Sequence, residues 1–151
     1  MKRSINKKVL ITVLTLLVSS LILFGLTSCF FESSYSSSSM KSGLEKAGYT
    51  VDVNPVIANL DVSKLDGYKS SLYAYKTINE REDGILILIF DSSANADKAG
   101  SSSNGVATEF MTQMHNWGRN HAPESDTSVY GLANNIVWAG SSAAKNAAGI
   151  K

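Results

Sequence analysis

The chain has 151 residues, with 14 Lys and Arg against 13 Asp and Glu, and a formal charge of +1. That length suits one domain on the usual span of about 100–200 residues. The only cysteine excludes an internal disulfide and any multi-cysteine metal site.

The first residues differ from the rest. Lys2, Arg3, Lys7 and Lys8 form a basic head, and no acid occurs before Glu32. The 18 residues 9–26 carry no charge. A signal-peptide apolar region is about 7–15 residues long, and a spanning helix needs roughly 20. Length alone therefore leaves a cleaved signal and a retained anchor both open. Either one keeps the basic end in the cytoplasm, because Lys and Arg resist translocation.

Leu26, Thr27, Ser28 and Cys29 close this leader: an aliphatic residue, a β-branched one, a small one, then the cysteine. The segment resembles a bacterial lipoprotein signal peptide, and LTSC is similar to the lipobox. The resemblance covers residues 1–29 only. It implies that the Cys29 thiol receives a diacylglyceryl group, consistent with the thiolate being the strong nucleophile among side chains. It also implies that a signal peptidase reads Leu26, Thr27 and Ser28 and cuts before Cys29. The product would be held on the extracytoplasmic face of a bacterial cell membrane, with membrane lipid as its partner through acylated Cys29.

The organisation that follows is a signal peptide over residues 1–28, a tether over 29–39 and a single domain over 40–151. Removing residues 1–28 takes four of the 14 bases and no acid, which leaves 10 against 13, a balance of −3. A mildly acidic product argues against nucleic acid as a partner, which calls for basic patches. The tether ends in ESSYSSSS, a serine-rich run that lacks the apolar surface to offset ordering entropy. Flexible-chain scaling gives it a reach of roughly 15–20 Å. Tyr35 in this run reads as incidental.

In the body, Met40, Leu44 and Ala47 at i, i+4 and i+7 predict a helix over residues 39–47, stopped by Gly48. Residues 49–53 alternate as a short strand, broken at Asn54-Pro55. Residues 56–65 hold a helical turn carrying Val56, Ile57 and Leu60. After the Asp66-Gly67 turn, residues 68–78 alternate, with Leu72 and Ala74 on one face and Tyr73, Tyr75 and Thr77 on the other. The charges over residues 80–83 read as a solvated loop ending in an Asp83-Gly84 turn. ILILIF, residues 85–90, reads as a strand buried on both faces and pairs with the preceding strand.

A short helix over residues 94–99 is capped by Ser92 or Ser93. Val106, Phe110, Met114 and Trp117 form one face of an amphipathic helix that covers ILILIF and stops at Gly118. Residues 129–133 and 136–139 flank Asn134-Asn135 as a tight hairpin. Ser141 or Ser142 caps a last helix over residues 143–150. These elements give an α+β fold, a mainly antiparallel sheet of about five strands with helices on one face.

The chemistry is sparse. His115 and His121 are six apart, not the i, i+4 of a helical zinc pair, although a loop could add Glu109 or Glu124. No GxSxG occurs; Gly140-Ser141-Ser142 superficially looks like a nucleophile elbow but suits a helix cap better. GSSSNG, residues 100–105, lacks the P-loop lysine. No catalytic residue, metal site or cofactor is therefore expected. Tyr73 and Tyr75 share a strand face and are the candidate interaction surface, since aromatics serve interfaces well. The expected function is a membrane-anchored binding or interaction module. The alternatives are an envelope hydrolase and a protein with an uncleaved N-terminal anchor.

Overall fold

A computed structural model describes residues 34–57, 61–101 and 105–151, and side chains over the same ranges except 105–111. The expectations for the leader, for Cys29 and for the tether up to residue 33 lie outside the described residues. So do those for Leu60 and for the side chains of Val106 and Phe110.

The body begins earlier than the serine-rich run suggests. Helix α1, Ser37–Lys46, takes Ser37, Ser38 and Ser39 as its first turn, and the Ser36 side chain accepts from Ser39 N at its N-cap. Serine is unfavourable inside helices yet favoured at caps, so the run ends as a helix start. Tyr35 is not incidental. Its N–H donates to Asn135 Oδ1 at 2.7 Å, its carbonyl accepts from Asn135 Nδ2 at 3.2 Å, and its hydroxyl accepts from Lys151 N at 3.2 Å.

Strand β1, Thr50–Val53, follows the left-handed Gly48 at φ 83°. Among the described residues of the stretch after it, a 3-10 turn forms at Val62–Lys64, capped by Asp61. Val56, expected on a helical turn, is fully exposed there. Strands β2, Tyr68–Ile78, and β3, Arg81–Phe90, form a long hairpin. Its turn is Asn79-Glu80, with φ 49° and 66°, between the paired Ile78 and Arg81. Two positive-φ residues match the right-handed twist of the strands. Residues 81–83 of the expected loop are therefore strand, and Glu80 belongs to the turn. Gly84 faces Tyr75 in mid-ladder, where a Cβ would lie 2.7 Å from Ala74 O; the glycine serves close approach rather than a turn.

Helix α2, Ser93–Gly100, is capped by Ser92, and α3 runs Gly105–Asn120. Gly118, expected as a stop, lies inside α3, where a Cβ would fall 2.1 Å from Val129 O. Strands β4, Tyr130–Ala133, and β5, Ile136–Gly140, turn through Asn134-Asn135, of which only Asn134 has positive φ, at 52°. Ser141 accepts from Ala144 N and caps α4, Ser142–Ala147. Gly149, at φ 73°, follows it, so this helix is shorter than expected.

The five strands pair antiparallel throughout, in the order β1-β2-β3-β5-β4. This is the expected α+β fold with a five-stranded sheet. The helices differ from expectation: they take both faces. Ile85, Ile87 and Ile89 join Met40 and Leu44 of α1 and Ala144 of α4. Leu86, Leu88 and Phe90 join Ala96 and Ala99 of α2 and Met114 of α3. Side chains alternate along a strand, so six consecutive apolar residues demand cover on both sides. Met114 and Trp117 provide it on one side, as expected.

Candidate functional site

The two tyrosines of the expected interaction surface do share a face. Alternation along β2 turns Tyr73 and Tyr75 toward the side that α3 covers. Their rings stack at 5.1 Å and 25°. Tyr73 also meets Trp117 edge to face, at 5.5 Å and 83°. Trp117, in the last turn of α3, stacks on His121, the first residue after the helix, at 3.8 Å and 9°, and the spacing of four residues brings the two rings to one side.

Hydrogen bonds lock this cluster. The Tyr73 hydroxyl donates to Glu82 Oε1 at 2.6 Å. His121 Nε2 lies 3.1 Å from the same oxygen, and its Nδ1 lies 2.8 Å from the Trp117 carbonyl. Both partners are acceptors, so each contact engages one ring nitrogen. Burial first, and then the bond to Glu82, holds the Tyr73 hydroxyl well above the usual tyrosine range, which keeps it a donor.

Beside the cluster lies an apolar recess of about 220 Å³, lined by Pro55, Val56, Ile57, Tyr73, Leu86 and Trp117. Its rim on β1 follows from the register, in which Asp52 pairs with Tyr73 and Thr50 with Tyr75. Paired residues share a sheet face, so the Asp52 carboxylate stands at the edge of the aromatic patch.

A second recess, of about 130 Å³, is lined by Ile78, Arg81, Glu82, Asp83 and Pro123. The acids here were expected to be solvated, and Glu82 is exposed. Asp83 instead is only 7% exposed and accepts from the Tyr49 hydroxyl at 2.5 Å. Burial, then the Asp83 bond, raises the Tyr49 hydroxyl far above its ordinary range, while a bond with Ser141 opposes the rise. Loop-like charges became strand residues once the hairpin turn moved to Asn79-Glu80, and β3 carries Asp83 to the buried Tyr49.

The chemistry available is limited. His121 stands next to an acid, but both ring nitrogens are engaged, leaving neither to take a substrate proton. Ser141 is fully buried and its Oγ accepts from Ala144 N. His115 is exposed on α3, away from the inward-turned His121. Among the described residues, no group of three or more His, Cys, Asp or Glu side chains is arranged to hold a metal ion.

Trp117, His121, Glu82 and Asp52 escaped the sequence reading as site residues. Trp117 was assigned to the core stripe, and the Trp117–His121 spacing was the one local signal that joined them. Glu82 and Asp52 needed the strand register. Leu26, Thr27, Ser28 and Cys29 lie outside the described residues. The chain matches no protein-family model, no curated protein and no solved structure.

Proposed function

We propose that the chain is a lipid-anchored extracytoplasmic binding module. Acylated Cys29 holds it to a bacterial cell membrane, and the Tyr73–Tyr75–Trp117 face receives its ligand. LTSC at the end of a basic and then apolar leader supports the anchor. The observation that carries the binding role is the aromatic cluster beside an open apolar recess. Its side chains are half-buried rather than sealed under a helix. Pockets of this kind combine apolar lining with a few placed polar groups, here Asp52, Glu82 and the tyrosine hydroxyls. No helix among the described residues is long and apolar enough to cross a membrane.

Two measurements test the reading. Mass spectrometry of the mature N-terminus from cells should find Cys29 first in the chain and acylated, and Cys29→Ala should abolish both processing and membrane retention. An unlipidated wild-type product would sink the anchor. For the face, Tyr75→Ser is the cleaner substitution, because Tyr75 makes no bond that holds the network around Glu82. If ligand capture by crosslinking in cells is the same for Tyr75→Ser as for wild type, the binding surface lies elsewhere.

A further inference from the structure

The aromatic face is electrically one-sided. On the side of the sheet that carries Tyr73 and Tyr75, register and alternation place Thr50 and Asp52 from β1, Thr77 from β2, and Glu82, Gly84 and Leu86 from β3. The strands contribute two carboxylates there and no lysine or arginine. Lys76 turns to the other side, where its Nζ lies 4.0 Å above the Tyr49 ring, and Arg81 leaves the strand on that side and donates to Ala122 O, next to His121 in sequence. Glu82 is engaged by Tyr73 and His121, whereas Asp52 is exposed and makes no ion pair among the described residues.

The ring surface left over is also specific. Trp117 has His121 against one face and the edge of Tyr73 nearby, and Tyr73 is stacked on one side by Tyr75. Among the described residues Tyr75 makes no ring contact except with Tyr73, so its outer face remains available, while Asp52 stands across from Tyr73, one paired position along. An electron-rich face next to a carboxylate attracts a cation. The neighbouring recess, at about 220 Å³, is smaller than the 300–1,000 Å³ typical of small-molecule pockets. It suits one apolar side chain.

From this charge and shape complementarity we infer that the face binds a polypeptide segment in which an apolar side chain sits beside a lysine or arginine. The apolar group fills the recess between Ile57, Leu86 and Trp117. The cation pairs with Asp52 at the edge of the Tyr73–Tyr75 stack. The inference rests on the binding role proposed above and narrows it to a partner class.

The test is selection of a random nonapeptide display library on the detergent-solubilised full chain, in parallel with Asp52→Lys and Tyr75→Ala chains. Asp52 is exposed on an edge strand, and an unchanged thermal melt of each variant establishes that it folds. Wild type should enrich sequences with Lys or Arg next to a large apolar residue. Those sequences should bind Asp52→Lys about ten-fold more weakly, and added salt should weaken them further. Selection on Asp52→Lys should shift toward acidic peptides. Absence of basic enrichment, or equal binding to Asp52→Lys, overturns the inference. Maltotetraose serves as the uncharged probe. If it binds in a Tyr75-dependent way while no basic peptide is enriched, the partner class is wrong but the binding face stands. If Tyr75→Ala alters neither peptide nor sugar binding, the face itself is wrong.

Discussion

Asn135→Ala is the substitution with the widest structural reach. Asn135 is 5% exposed, and its side chain makes three bonds. Nδ2 donates to Phe90 O at 3.1 Å and to Tyr35 O at 3.2 Å, while Oδ1 accepts from Tyr35 N at 2.7 Å. The residue thus ties the end of β3 and the segment before α1 to the β4–β5 turn. A typical hydrogen bond contributes about 1 kcal/mol net, and a buried group left unpaired costs about 1–3 kcal/mol. Three bonds with partly accessible partners give a loss of about 3 kcal/mol. For a body of this size that corresponds to a fall in Tm of about 10 °C. Amide exchange at Tyr35 should accelerate by more than the global loss of stability requires, because its acceptor is gone. Tyr35→Phe, which removes only the exposed hydroxyl contact with Lys151 N, should cost less than about 1 kcal/mol. Circular dichroism melts and hydrogen exchange measure both quantities. A loss below about 1 kcal/mol for Asn135→Ala, with unchanged exchange at Tyr35, would refute the clamp.

Gly118→Ala should destabilise by about 2–3 kcal/mol although alanine favours helices, because the new methyl meets rigid backbone at Val129 O. The urea midpoint should fall with an unchanged m-value; a neutral or stabilising result would mean that α3 packs less closely on the β4 entry. Burial raises the Tyr130 hydroxyl to about 12, and Tyr49 and Tyr73 are raised as well. A folded value above the unfolded one, about 10, contributes stability that is complete below pH 10 and is lost as pH rises through the folded value. Stability should therefore decline from about pH 10 toward 12. The tyrosinate absorbance of Tyr130→Phe should overlay that of wild type up to about pH 11; a deficit already at pH 10 would show that Tyr130 ionises normally.

The buried Asp83 gives the β2–β3 hairpin a second role. With Tyr49 donating to it and Ser141 bonded to Tyr49, a polar chain joins the segment after α1, strand β3 and the cap of α4. Ser141 N also donates to Gly84 O, and Gly84 N donates to His121 O. The end of β3 that carries Glu82 toward the aromatic cluster is therefore held from both faces of the sheet. That support fixes Glu82 where Tyr73 and His121 can both reach it.

Sequence by itself determined the elements with strong periodicity. ILILIF could only be a strand with both faces buried, the Met40–Leu44 spacing could only be helical, and alternation set Tyr73 and Tyr75 apart from Leu72 and Ala74. The proposed anchor at Cys29 rests on sequence as well, because a charge pattern and a four-residue motif are read along the chain. Tertiary structure alone decided the rest. Polar and glycine residues answer to neighbours distant in sequence: Gly84 and Gly118 sit where another backbone approaches, not where the chain turns. Tyr35 and Asn135 are 100 positions apart and satisfy each other. The charges near residue 82 look solvated until Asn79 and Glu80 adopt positive φ and make them part of a strand. The candidate site arises in the same way, since its tyrosines come from β2, its acids from β1 and β3, Trp117 from the end of α3 and His121 from the residue that follows it. Local pattern specifies which face a side chain takes, and only packing specifies what meets it there.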